Sequence, residues 1–443
     1  MIYLRPEDAG YDEARTIFNG MIDRHPAVIA RCSKPDDVSE ALRYAREHSL
    51  RVAVRAGGHS VAGMSLNDDG LVIDVRPMKE AVVDPEARTI RAGAGLTWAE
   101  FDHATQQYGL ATTGGRASST GIAGFTLGGG SGWLERTWGL ACDNLVSVEM
   151  VTADGTLVTA SATENPDLFW ALHGGGGNFG VATSFTFALH ELGPLVLAGV
   201  MGWPEAVAHD VVLAYRDLAG GFPDELGSGL IALTAPPEEF VPEAMQGTKV
   251  LAAAVLFAGD PEEGREVIAA LRELDPVVDV VQPVPYAEFQ ASLDDPPGMQ
   301  NYWTADYHDD FPDEAVEVFV RSAHACPSPH SQLALAPWGG AVARVPEDAT
   351  PLANRGAPWV THPFGLWEDP SATPENIDWV RAFRRDIAPF SNGGVYLNFI
   401  GHEGQDRIKA AFGEAKYARL AQIKRDFDPN NVFRGNQNIL PAE

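Results

Sequence analysis

The sequence predicts a two-domain α+β protein, on three observations. At 443 residues the chain exceeds the roughly 250–300 at which a single hydrophobic core stops growing. Its N-terminal part alternates short apolar runs, amphipathic helices and glycine-rich turns. After "FGVATSFTFALHELGP" the pattern changes: residues 195–395 carry most of the prolines, further strand candidates and longer acidic helices. A boundary near Pro194 divides the chain into 1–194, 195–395 and 396–443.

"AVIARC" (27–32) reads as a strand, and "PDDVSEALRYAREH" (35–48) as a helix with Val38, Ala41, Leu42 and Ala45 on one face. With the strand "LRVAVR" (50–55) they make a βαβ-like start that runs into "AGGHSVAG". "GLVIDV" and the pair "AVVD" and "RTIRAG" around Pro85 are further strands. Thr97 and Glu100 form a capping box for a helix whose Trp98, Phe101, Thr105 and Tyr108 recur at helical spacing, with Gly109 as its stop. Residues 114–132, "GGRASSTGIAGFTLGGGSG", hold eight glycines, but the interleaved Ile122, Phe125 and Leu127 make them an ordered loop, not a linker. "KYARLAQIKRDFDPNNVF" is an amphipathic helix stopped at Asp428-Pro429.

A formal charge of −29 argues against nucleic acid or an anionic membrane as partner, since both need clustered Lys and Arg. The acidity reads as a solubilising surface or as adaptation to high salt. Cys32, Cys142 and Cys326 are widely spaced and odd in number, which favours free thiols, a reducing compartment and no zinc site. No targeting pattern opens the chain and no run of 18 apolar residues occurs, so a cytoplasmic location is expected.

A G-x-G-x-x-G occurs at Gly175, Gly177 and Gly180, but helix-like residues precede it and strand-like residues follow, the reverse of a dinucleotide fingerprint. Met64 stands where a phosphate-binding loop needs lysine, and no G-x-S-x-G exists. What remains is two glycine turns, 57–63 and 114–132, able to bring backbone N–H groups close to an anion, with Arg55 and Arg116 the nearby cations. By themselves they could equally be tight turns in a crowded sheet, and His59 a hydrogen-bonded surface histidine.

Taken together, "RAGGHS", "GIAGFTLGGGSGWLERTWGLACDNLVSVEMVTADG", "NPDLFWALHGGGGNFGVATSFTF", "YLNF" and "RDFDPNNVFRGNQNI" resemble the vanillyl-alcohol oxidase and p-cresol methylhydroxylase flavoproteins, in their berberine-bridge-enzyme-like branch. The resemblance implies an FAD-binding fold built from both chain ends, around a substrate domain with an antiparallel sheet flanked by helices. It places the cofactor on Arg55, Ala56, Gly57, Gly58, His59, Ser60, Gly63 and Ser65 in and after the first turn. The second turn adds Gly114, Gly115, Thr120, Gly121, Gly124, Phe125, Gly128, Gly129, Gly130, Gly132 and Trp133. Asn144, Gly180, Val181, Tyr396, Asn398, Asn436 and Gln437 complete the set. His59 stands where such proteins join a histidine to the flavin 8α-methyl, a bond that a neutral imidazole nitrogen can form. Many relatives add a cysteinyl bond; here that position is Ala117, so a single covalent link is expected.

The reaction implied is hydride transfer from an alcohol carbon of a sugar or secondary metabolite, with O2 as acceptor. C–N oxidation, oxidative ring closure, or a flavin carrier without turnover are alternatives. Tyr396 is either the base, oriented by Asn398, or a packing residue; a free phenol, with pKa about 10, needs help to act near neutrality. Tyr302, Trp303, His362 and Trp367 are the expected substrate-pocket walls, and the oligomeric state is left open.

Overall fold

The β-branched run at Val28–Arg31 makes a strand, and Pro35 followed by Asp36 and Asp37 opens the Pro35–Glu47 helix, whose apolar face is buried as its spacing requires. In the computed structural model, which describes residues 1–443, the Val52–Arg55 strand follows but does not lie beside Val28–Arg31. The Leu71–Asp74 strand sits between them, parallel to both, and Ile2–Leu4 pairs antiparallel at the edge. The βαβ-like start is present, with a further strand between its two strands. "LVID" is buried at every position, and a strand covered on both faces takes the interior of a parallel sheet.

A second sheet is antiparallel: the hairpin Ala81–Asp84 and Thr89–Gly93 continues into Val181–Ala188, Leu145–Val151 and Leu157–Ser161. Both halves of the Thr97/Glu100 capping box form at the start of the Trp98–Gln106 helix. That helix ends before Tyr108, which is 52% exposed and not on the apolar face as its spacing predicted. Gly109, at φ +65°, turns the chain there. The 114–132 segment is ordered but is not wholly loop. Ile122–Leu127 is a short helix that sends Ile122, Ala123 and Leu127 into the core.

From Leu195 onward the long strands belong to one nine-stranded antiparallel sheet. Period-two alternation gives it two different faces. Leu333, Leu335 and Trp359 pack with Val316, Phe319 and Trp379 of the Asp313–His324 and Thr373–Ile387 helices. Ala334, Ala336, Val360, His362 and Phe364 line a cavity on the other face.

The Glu414–Phe427 helix returns to the N-terminal core through Leu420 and Ile423. Its fully buried Lys424 donates from Nζ to the Asn178 carbonyl at 2.6 Å, the Phe433 carbonyl at 3.1 Å and the Asp428 carboxylate at 2.6 Å. Meeting all three donors is what makes a buried ammonium tolerable. No helix is long and apolar enough to cross a membrane.

Candidate cofactor and active site

A cavity of about 450 Å³ lies between the N-terminal sheets and the face of the nine-stranded sheet opposite the Asp313–His324 and Thr373–Ile387 helices. Two glycine turns form one side. A Cβ on Gly57 would stand 2.2 Å from the Gly121 nitrogen, and one on Gly121 2.3 Å from that of Gly57, so the turns meet backbone to backbone. The N–H groups of Gly57, Gly58, His59 and Ser60 donate to no protein acceptor, although all four residues line the cavity. Four consecutive unpaired amides suit an anion. Gly124 and Gly177 also line it and have open space where a Cβ would be. Asn436 Oδ1 and Gln437 Oε1, on the same wall, are buried without partners. Amide donors, bare backbone and unmet carbonyl acceptors together fit a large heteroaromatic dinucleotide.

His59 is half-buried on this wall, stacked on Phe18 with ring centroids 4.3 Å apart, and its Nε2 is 3.0 Å from Ser119 Oγ. Burial lowers its pKa to about 4, against a weaker opposing pull from Asp294, so the imidazole is neutral near pH 7. Ala117 also faces the cavity, and neither Cys32 nor Cys142 lines it. Ala56, Ser65, Gly115, Thr120, Phe125, Gly128, Trp133, Gly180 and Asn398 line the cavity as the sequence predicts, as do Trp303 and His362.

The other expected residues do not line the cavity. Arg55 is buried behind the first turn, donating to the Ala14 and Thr16 carbonyls, and burial lowers its guanidinium to about 10. Gly63, at φ +68°, packs on Ile22, Gly114 on Trp98, and Gly132 on the Gly114 carbonyl. Gly129 and Gly130 take left-handed conformations behind the wall. Asn144 holds the Trp138 and Leu140 carbonyls, at 3.1 and 2.9 Å. Val181 is an interior strand residue. Tyr302 faces outward under Arg381, 5.5 Å from its ring, and Trp367 points away to Thr373, with Nε1 to Oγ1 3.1 Å.

Tyr396 is the main correction. It is 1% exposed and outside the cavity lining. Its phenol oxygen accepts from the Gly130 and Ser131 N–H groups and from Asn398 Nδ2, the last at 3.2 Å. Burial pushes its pKa up. The phenol is held behind the glycine loop, which it braces, and does not line the cavity. Asn398 does reach the cavity, and its Nδ2 donates to the Phe125 carbonyl at 3.0 Å.

Sequence reasoning missed Phe18, Ser119 and Gln332, for which no periodicity or motif speaks. It also set aside Gly174–Asn178, although all five residues line the cavity. The helix Pro166–Ala171 before them and the strand Val181–Ala188 after them do rule out a dinucleotide fingerprint, but not contact with a cofactor.

Residues 26–161 match the FAD binding domain family and residues 395–440 the berberine and berberine like family. The chain is 30% identical over 446 residues to the FAD-linked oxidoreductase YgaK of Bacillus subtilis, covering 98% of this chain and 96% of that protein. It is also 30% identical over 459 residues to (R)-6-hydroxynicotine oxidase of Paenarthrobacter nicotinovorans, with the same coverage. The crystal structure of 6-hydroxy-D-nicotine oxidase from Arthrobacter nicotinovorans superposes with a TM-score of 0.89 at 26% identity, over 100% of this chain and 98% of that one. Two family matches at opposite ends of the chain, on the two segments that meet around this cavity, agree with these full-length similarities. The protein belongs to the berberine-bridge-enzyme-like FAD-linked oxidoreductases and is an FAD-binding enzyme with the vanillyl-alcohol oxidase type of fold.

Proposed function

We propose that this enzyme oxidises a carbon–hydrogen bond next to a hydroxyl in a small, largely apolar secondary metabolite, with FAD joined covalently through His59 and O2 as the final acceptor. When bound, FAD supplies the hydride acceptor. The carrying observation is that one cavity joins the His59 turn to a wall of Trp303, Trp338, Phe364 and Phe399. Such a wall favours a planar apolar substrate over a sugar, which needs many polar partners. Gln332, Ser228 and His362 are the polar side chains of the sheet wall, and Arg116 is engaged by Ser131 and Glu135, at 2.9 and 3.1 Å.

Within this reading, Gly57 to Ser60 offer amides to the pyrophosphate, and the neutral His59 imidazole offers the nitrogen for the 8α bond. A C–N oxidation is the second reading, favoured by the 30% identity to an oxidase named for 6-hydroxynicotine. Oxygen uptake with aryl alcohols, cyclic amines and sugars tests both. Turnover of aryl alcohols supports the first, turnover of amines alone the second, and turnover of sugars alone rejects both.

A further inference from the structure

The His362 imidazole is 3% exposed and lies on the cavity face of the Trp359–Trp367 strand, flanked on the same face by Val360 and Phe364. Its Nδ1 is 2.7 Å from the Thr304 carbonyl oxygen. A carbonyl only accepts, so the proton of the neutral ring sits on Nδ1 and the lone pair on Nε2. Nε2 is buried and has no partner in the protein. The ring cannot turn to find one: it stacks on Phe399 with centroids 4.2 Å apart and planes 11° apart, and Phe364 and Trp303 close its other sides at 3.7 and 5.7 Å.

Thr304 is itself fixed, because its Oγ1 donates to Glu403 at 2.7 Å, and Arg407 binds both Glu403 and Asp306. Burial of so complete a kind is expensive for a lone pair left unmet. The other titratable groups at the cavity are placed differently. Glu135 receives Arg116 and the Gly132 N–H, His59 holds Ser119, and Asp295 sits half-buried in the loop that follows the Tyr286–Ser292 helix, outside the nine-stranded sheet. Trp303 Nε1, also on the cavity wall, is buried without an acceptor. An unmet acceptor and an unmet donor on neighbouring rings match a hydroxyl, which gives one hydrogen bond and receives another.

Resting on the proposed oxidation, we propose that His362 Nε2 is the base that takes the hydroxyl proton of the substrate, with Trp303 Nε1 donating to the same oxygen. The C–H bond breaks with its electron pair, which leaves as hydride to bound FAD. The O–H bond breaks, its electron pair becomes the second C–O bond of the carbonyl product, and the proton goes to Nε2. The imidazolium returns that proton to water when the product leaves. The substrate class that follows is a primary or secondary alcohol with a hydrogen on the reacting carbon; ethers and tertiary alcohols bind without reacting.

Two measurements on the holoenzyme test this. In protein labelled with ¹⁵N-histidine, the signals missing from His362→Phe should report a ring protonated at Nδ1 and bare at Nε2 across pH 5–8. The opposite tautomer, or a doubly protonated ring, overturns the proposal whatever the substrate. In anaerobic reduction of the flavin by benzyl alcohol and 1-phenylethanol, His362→Phe should slow reduction by about 10²–10⁴-fold with FAD content unchanged. His362→Gln, which restores an acceptor, should recover part of the loss. A His362→Phe rate within threefold of wild type overturns the base role. If neither alcohol reduces the wild-type flavin, the alcohol reading falls and the base role with it. The NMR result then stands as a property of the ring alone.

Discussion

Nε2 of His59 lies 3.0 Å from Oγ of Ser119, so one ring nitrogen is tied to a hydroxyl while Nδ1 makes no hydrogen bond within the protein. A ring pinned at one nitrogen presents the other in a fixed direction, which is what formation of a bond to a cofactor methyl requires. The flavin should therefore stay with the chain after acid precipitation, and His59→Ala should turn it into a dissociable cofactor. Peptide mass spectrometry should find one FAD-modified peptide, containing His59 and no cysteine. Ser119→Ala should slow attachment several-fold without abolishing it. Colour lost from denatured wild type would sink the covalent link.

Glycines that look alike in the sequence should respond differently to alanine. Gly57→Ala drives a Cβ to 2.2 Å from backbone at Gly121 and must push the two turns apart, lowering both stability and FAD content. Gly124→Ala meets nothing within 4 Å in the protein, so the apoprotein should fold with unchanged stability while FAD retention falls. Equal melting of the two variants would reject this contrast.

Tyr396→Phe removes the acceptor of two buried backbone N–H groups, those of Gly130 and Ser131. Leaving buried donors unmet costs about 1–3 kcal/mol each, so urea unfolding should show a clear loss. Flavin reduction should slow by less than about tenfold, well short of the loss of a general base. A thousandfold slower reduction at unchanged stability would return the phenol to the chemistry.

Lys424→Met strands the Asp428 carboxylate in the interior and releases the Asn178 and Phe433 carbonyls. Breaking one side of a buried pair costs about 3–5 kcal/mol. Because Asn178 and Phe433 both line the cavity, the FAD-to-protein ratio should fall with stability. Asp428 also accepts from the Val432 and Phe433 N–H groups, so replacing both partners by Met and Leu should not restore wild-type stability in urea unfolding.

Burial raises the Asp102 carboxyl to about 7, with a weaker opposing hydrogen bond from Gln290. An unfolded aspartate ionises near pH 4. Between about pH 4 and 7 the folded chain therefore holds a proton that the unfolded chain has lost, and stability falls as pH rises, by up to a few kcal/mol. The half-buried His59 and the buried His362, lowered to about 4 and 3, slope the other way and weaken the fold as pH drops below about 6.5. Asp102→Asn should remove only the first trend. Urea unfolding at pH 4.5 and pH 8 checks it, and a constant difference between variant and wild type rejects it.

Local signals in the sequence translate directly where one residue type has one geometric use. Thr97 and Glu100 specify a capped helix, and a glycine pair beside a histidine specifies a bare turn. Strand phase is harder to read. Trp303 and Tyr302 are neighbours on one strand and alternate by necessity, yet composition could not say which one faced the cavity. The same applies to His362, inside, and Trp367, outside, an odd number of residues along one strand. Tyr396 failed for another reason: its nearness in sequence to Asn398 hid a change of direction at the Leu397–Phe399 turn, where one side chain enters the cavity and the other does not. Phe18 and Ser119 were invisible because they reach His59 only through tertiary contact.

The wall formed by Phe433, Gly435, Asn436 and Gln437 sets an order of events during synthesis. A Cβ on Gly435 would stand 3.3 Å from the Val52 carbonyl oxygen, on a strand that leaves the ribosome long before it. A nascent chain can complete the His59 turn, both N-terminal sheets and the whole nine-stranded sheet while this wall is still inside the exit tunnel. Cofactor capture should therefore wait until residues 433–437 have left the ribosome, and a chain truncated before Phe433 should fold in large part yet stay colourless.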